Sequence, residues 1–199
     1  MNEMEMRLVS DVEKLAHTQV SNCYQCGKCT AGCPRGEAMD AGPTKLIHLV
    51  QTGAVLEAAK CESVWQCVSC LTCSTRCPKS VNIAGVVDAL RQISVERKIT
   101  ANRFARTVLF QKEFLRNIRR NGRTNELELV AAWKILGFMH DFNPCEALKD
   151  AQLGPKMFFR HKLHFMPGSP VKDKGVVRRI FDRCAAARKS ETTQSTNKD

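Results

Sequence analysis

The chain has 199 residues, eleven of them cysteine, with two tryptophans, one tyrosine and a formal charge of +11. No uninterrupted apolar stretch is long enough to span a bilayer, so direct membrane insertion is not expected. The opening Met1-Asn2-Glu3-Met4-Glu5-Met6 lacks the apolar core of a secretory signal, which points to a reducing, cytoplasmic setting and turns so many thiols toward metal chemistry rather than disulfides.

Residues 3–17 place Met4, Leu8, Val12 and Leu15 at helical spacing and predict an amphipathic helix. A first cysteine run follows: Cys23, Cys26, Cys29 and Cys33, closed by Pro34. Pro43 opens a short helix through Leu46, Ile47, Leu49 and Val50, with Gly53 as its stop, and a second helical piece runs from Val55 to Trp65. The second run repeats the first: Cys67, Cys70, Cys73 and Cys77, closed by Pro78. Beyond it, Ile83, Val86, Val87, Leu90 and Ile93 mark one face of a helix reaching about Lys98, with Ser80 or Asn82 as N-cap.

Thr100 is the expected N-cap of a longer helix with Phe104, Val108, Leu115 and Ile118 on one face, ending at Asn121-Gly122. Asn125 and Glu128 fit a capping box ahead of Leu127, Val130, Trp133 and Ile135. Periodicity weakens after Asp141, where Pro144, Pro155, Pro167 and Pro170 break the chain and Phe158, Phe159 and Phe165 supply apolar surface without a period. A last basic helix is expected over 171–188. The domain reading is an N-terminal helix (1–22), a cysteine-rich helical domain (23–98), a basic helical extension (99–188) and a disordered tail (189–199).

Charge divides unevenly: residues 1–77 carry 7 basic and 8 acidic side chains, residues 78–199 carry 24 and 12. A cationic half suits docking to an acidic protein partner. Nucleic acid is not the expected partner, since no helix-turn-helix or zinc-finger spacing and few interleaved aromatics accompany the basic residues.

The two runs share the pattern C-x2-C-x2-C-x3-C-P, which crowds four thiols into eleven residues. Zinc sites instead use two C-x2-C pairs set a dozen or more residues apart. The pattern is that of bacterial two-cluster ferredoxins, in which three close thiolates hold one [4Fe-4S] cube and the fourth serves the other cube. Two [4Fe-4S] clusters with crossed ligation are expected: Cys23, Cys26, Cys29 and Cys77 on the first, Cys67, Cys70, Cys73 and Cys33 on the second. Gly27 and Gly32 fit a backbone that approaches inorganic sulfide closely with unusual torsions. The second run lacks these glycines, and Leu71 is expected to cover its cluster. Cys61, Cys145 and Cys184 fall outside the repeat and are read as buried or partly buried thiols. His161 and His164 lack further ligands of matching spacing and are read as surface residues.

No β-type alternation lies near the cysteines, so the fold class expected is mostly α: an α-helical ferredoxin core with a helical C-terminal extension. The segments Cys23-Tyr24-Gln25-Cys26-Gly27-Lys28-Cys29-Thr30-Ala31-Gly32-Cys33-Pro34, Trp65-Gln66-Cys67 and Arg76-Cys77-Pro78 resemble the C-type iron-sulfur subunits of heterodisulfide reductase over about residues 20–98. The resemblance implies a small cytoplasmic protein that transfers electrons within an oxidoreductase complex. It would pass electrons from an A-type flavin and iron-sulfur partner to a B-type catalytic partner that reduces a disulfide. No catalytic residue is expected in this chain, which has no phosphate loop, nucleotide fingerprint or paired nucleophile and base. The alternatives are a relay in another iron-sulfur complex, acting in succinate, glycolate or acyl-coenzyme A redox chemistry, or a nucleic-acid-binding protein with structural clusters.

Overall fold

A computed structural model describes residues 2–99, 104–141 and 173–196. Among these there are helices and 3-10 turns and no strand. The chain divides into two compact units, Met1–Ala105 and Arg106–Asp199.

Among its described residues the first unit has seven helices: α1 (Glu3–Ala16), α2 (Lys28–Ala31), α3 (Pro43–Gln51), α4 (Val55–Lys60), α5 (Ser63–Gln66), α6 (Thr72–Thr75) and α7 (Ile83–Glu96). Helix α7 is apolar on most of its circumference, burying Ile83, Val86, Val87, Leu90 and Ile93, and α1, α3, α4, α5 and α6 all pack against it. Its N-cap is Asn82, whose Oδ1 accepts from the Gly85 amide at 3.1 Å. The Asn82 Nδ2 also donates to the Ala16 carbonyl at 3.0 Å, which ties the end of α1 to the start of α7. Helix α1 buries Leu8, Val12 and Ala16, while Met4 and Leu15 of the expected face are exposed. Leu8, Val12 and Ala16 form one i, i+4 stripe against α7; Leu15 lies off it, and Met4, one turn ahead of Leu8, is exposed near the N-terminal end of the helix.

The helix expected from Val55 to Trp65 is two helices. Cys61 turns extended (φ −59°, ψ 137°), and the chain restarts at Ser63 under a cap supplied from a distance. Asp40 accepts from the amides of Glu62 (3.0 Å) and Ser63 (2.8 Å) and from the Ser63 hydroxyl. Ile99 packs against the core, and Phe104 stacks on Trp65 with ring centroids 6.4 Å apart. This unit therefore holds α1 through α7 together with Ile99 and Phe104.

The second unit contains α8 (Ala105–Asn121), α9 (Glu126–Asp141) and a terminal helix, α10 (Lys174–Thr196). Thr100, Cys145, His161, His164, Phe158, Phe159 and Phe165 lie outside the described residues. Helix α8 does not bury the apolar face expected of it: Leu115 is 53% exposed, and the buried side chains are Glu113 and Asn117. Each has a partner. Glu113 pairs with Arg116 at 2.8 Å, and Asn117 bonds both the amide (2.7 Å) and the carbonyl (3.3 Å) of Asn125, closing the α8–α9 turn. Half of the expected capping box forms, with Asn125 Oδ1 accepting from the Glu128 amide. The Glu128 carboxylate turns instead to Asn121 Nδ2 (2.7 Å) and Arg120 (2.8 Å), because Asn117 already holds the Asn125 amide. Helix α10 continues to Thr196, through residues expected to be a disordered tail; its Ala185-Ala186-Ala187-Arg188-Lys189 run has high helix propensity. No helix among the described residues is long and apolar enough to cross a membrane.

Candidate iron-sulfur centres

The first cysteine loop enters from a 3-10 turn (Val20–Asn22) and leaves through α2. Gln25 (φ 62°) and Gly27 (φ 78°) both take the left-handed region, which curls the backbone around the thiols. Burial pushes the Cys23 thiol up; a backbone bond near Gln25 opposes this, and the charges of Cys29, Cys77 and Cys26 reinforce it. Cys77, far along the chain, therefore lies within electrostatic reach of Cys23. The Cys26 thiol is held below its usual value, chiefly by the Lys28 amide, with some opposition from burial and further help from the Tyr24 hydroxyl and the Lys28 charge. Cys29 Sγ lies 3.2 Å from Thr44 Oγ1, and the Val81 amide donates to Cys77 Sγ at 3.3 Å.

In the second loop Ser69 (φ 51°) and Leu71 (φ 62°) occupy the same left-handed positions as Gln25 and Gly27. The conformation is kept although the glycine is not. Cys33, Cys67, Cys70 and Cys73 line one cavity, walled by Met39, Leu46, Ile83 and Val87. Leu71 also lines it but is exposed, so it forms the rim rather than a lid. The Thr72 hydroxyl and amide hold the Cys70 thiol below its usual value. Burial pushes the Cys73 thiol up; bonds from Ser74 oppose this, and the Cys67 charge adds to it.

Cys33 of the first run thus lines a cavity with three cysteines of the second, and Cys77 of the second run acts on Cys23 of the first. Among the described residues no three His, Cys, Asp or Glu side chains converge on a point suited to a single ion. At the second site, thiols lining an apolar cavity, with groups of Thr72 and Ser74 directed at Cys70 and Cys73, fit a cluster whose four corners each take one ligand. Of the cysteines outside the repeat, Cys61 is half-buried, its Sγ donating to the Glu57 carbonyl at 3.5 Å. Cys184 is exposed, against expectation, because α10 presents it on an uncovered face.

The duplication reaches beyond the cysteines. Gln51 is the ninth residue of α3 and Arg91 the ninth of α7. Gln51 Nε2 donates to the carbonyls of Val20 (2.7 Å) and Cys23 (2.8 Å). Arg91 donates to the carbonyls at the matching positions, through Nε to Val64 (2.8 Å) and through Nη2 to Cys67. Gln51 Oε1 accepts from Gln25 Nε2 (2.7 Å), and Arg91 Nη1 donates to Ser69 Oγ (3.2 Å). Likewise Thr30 and Ser74 accept from the second amides of the following helices, Thr44 at 3.0 Å and Ala84 at 3.1 Å.

Gly32 and Arg76 are equivalent too, and they meet: a Cβ on Gly32 would overlap Arg76 Nη1 and lie 2.9 Å from its Cδ. Gly32 has an ordinary negative φ of −99°, so its smallness, not its torsion, is what the site uses, contrary to expectation. None of these supports was expected from the sequence. An alignment of the two halves exposes them once the connection is allowed to differ, since Pro43 comes ten residues after Cys33 but Ile83 only six after Cys77.

A family model described as a 4Fe-4S dicluster domain matches residues 19–81. The C-type iron-sulfur subunit of the CoB–CoM heterodisulfide reductase of Methanopyrus kandleri is 34% identical over 91 residues, 46% of this chain and 47% of that protein. Its counterpart in Methanocaldococcus jannaschii is 31% identical over 110 residues, 54% of this chain and 58% of its own length. A protein of Archaeoglobus profundus described as like the C-type heterodisulfide reductase subunits is 30% identical over 95 residues, 47% of this chain and 50% of its own. The chain spans about half the length of the curated relatives it matches. Residues 19–81 thus match a 4Fe-4S dicluster domain, and over about half its length the chain resembles the C-type iron-sulfur subunits of heterodisulfide reductases.

Proposed function

We propose that this chain is the electron relay of a heterodisulfide-reductase-type complex. Cys23, Cys26, Cys29 and Cys77 hold one [4Fe-4S] cluster and Cys33, Cys67, Cys70 and Cys73 the other. When bound, each cluster accepts and releases single electrons. The observation that carries the reading is the mixing of the two sequence runs, with Cys33 lining a cavity beside Cys67, Cys70 and Cys73 and Cys77 acting on Cys23. In such an arrangement the chain's own residues do three things. Gln51 and Arg91 fix the loop carbonyls so that the sulfurs keep their spacing. The Lys28 and Thr72 amides and the Tyr24 and Thr72 hydroxyls favour the thiolate form at Cys26 and Cys70. Leu46, Ile83 and Val87 keep water from one wall of the second site.

In this reading an A-type flavin and iron-sulfur partner delivers electrons and a B-type catalytic partner reduces a disulfide, in the reducing conditions of the cytoplasm that so many free thiols require. Tyr24 beside the first site, and Val68 and Leu71 beside the second, are exposed and offer apolar contact to neighbours on both sides. The basic extension over 99–188 docks a partner, a role supported by the uncovered Leu115, Val130, Ile135 and Met139.

Anaerobically purified protein should contain about eight iron and eight sulfide per chain, as two cubes require, and should pass electrons from a low-potential donor to a copurifying partner. Cys77→Ala should remove the spectral signal of the cluster that Cys26→Ala removes, and leave the one lost in Cys70→Ala. About four iron per chain, or Cys77→Ala pairing with Cys70→Ala, would overturn the assignment.

A further inference from the structure

The supports beneath the two cysteine loops are alike in geometry and unlike in charge. At the first site a neutral carboxamide, Gln51, holds the carbonyls of Val20 and Cys23. At the second, a guanidinium, Arg91, holds those of Val64 and Cys67. Since a carboxamide suffices for the architecture at one site, the charge at the other is not needed to shape the loop. It has an electrostatic consequence instead. A cation held against the backbone of a ligating cysteine stabilises the more negative, reduced state of whatever that cysteine binds, and net charge is among the factors that set iron-sulfur potentials.

We propose that Arg91 makes the second centre, bounded by Cys33, Cys67, Cys70 and Cys73, the more easily reduced of the two. An electron placed on the pair then resides preferentially there. The inference rests on the two-cluster reading above. Arg35 on the wall of the same cavity acts in the same sense, whereas Asp40, bonded to Ser63 of that wall, Asp88 and Lys28 oppose it. Asp88 pairs with Arg91 at 2.7 Å, but its side chain is 52% exposed against 22% for Arg91, so solvent screens the carboxylate more than the guanidinium. Lys28, beside Cys26, favours reduction of the first site instead, but it is exposed, with no loop carbonyl fixing it in place.

The test is an EPR-monitored redox titration of the anaerobic, cluster-loaded full chain, with iron content measured on each sample. Arg91→Gln should lower the higher of the two midpoint potentials and leave the other in place; a fall in the lower one instead would overturn the proposal. Gln51→Lys should raise the midpoint that Arg91→Gln leaves unmoved. Asp88→Asn, which keeps the bonds of Arg91 to the loop, should raise the midpoint that Arg91→Gln lowers. Unmoved midpoints in both Arg91→Gln and Asp88→Asn at full iron content would overturn the proposal, as would Arg91→Gln and Gln51→Lys acting on the same midpoint. If Arg91→Gln loses iron, Asp88→Asn alone decides, its raised midpoint supporting the proposal and an unchanged one refuting it. Failure of the two-cluster reading is separate and visible: unsubstituted protein would then show too little iron or one midpoint only, and the proposal would fall with it.

Discussion

Equivalent positions in the two loops solve one backbone problem with different residues. Gly27 and Leu71 both sit at positive φ, 78° and 62°, where a Cβ costs roughly 1 kcal/mol. Leu71 is exposed on the rim of its site, so little packing offsets that strain. Leu71→Gly should therefore leave iron content unchanged and raise stability by about 0.5–1 kcal/mol, read as a shifted denaturation midpoint at constant slope. A loss of stability would mean that the Leu71 side chain covers the cluster after all. Gly32 answers a different need, the close passage of Arg76, and its negative φ means that only volume is at stake there.

Helix α5 begins under a cap from Asp40, which precedes it by more than twenty residues and joins it to the segment leading into α3. Burial pushes the Asp40 carboxyl up, but the Ser63 hydroxyl and the amides of Ser63, Glu62 and Ala41 outweigh it and hold the group below the usual carboxylate range. A depressed folded value contributes stability that is present above the unfolded value of about 4 and is lost as pH falls through the folded one. Asp40→Ala should cost about 1 kcal/mol at neutral pH, the usual worth of a helix cap. The gap between variant and parent should close below about pH 4, measured by urea unfolding of the cluster-free chain at both pH values. A gap that persisted undiminished in acid would assign the cost to packing rather than to the charged cap.

Over the whole molecule the two units differ in kind. The first buries a continuous core from Leu8 through Ile93, whereas in the second, among the described residues, Leu129 is the only large apolar side chain that is buried, and Ile135 and Met139 are 61% and 63% exposed. A chain ending at Ala105, which retains Ile99 and the stacking of Phe104 on Trp65, should keep its full iron content yet fail to copurify with a partner. Undiminished assembly and electron transfer by the shortened chain would show that residues 106–199 have another role, with salt-dependent nucleic-acid binding the first to measure. Iron loss in the shortened chain would instead show that the second unit is needed to hold the first together.

Features that are local or periodic were legible in the residues alone. The eight cysteines stand out through spacing and α7 through the period of Ile83, Val86, Val87, Leu90 and Ile93, while the residues narrow its N-cap to Ser80 or Asn82, of which the structure uses Asn82. Period also misled, for Leu15 on α1 and Leu115 on α8 share the spacing of core residues, but burial depends on where a neighbouring element lies. Which side chains meet across the fold emerges only once the helices are packed: Gln51 with the Cys23 carbonyl, Arg91 with that of Cys67, Asp40 with the start of α5, and Arg76 with Gly32. A polar side chain carries no mark in the sequence of the distant carbonyl or amide it will satisfy. That choice is made when α3 and α7 pack together and leave buried backbone groups that must find a partner.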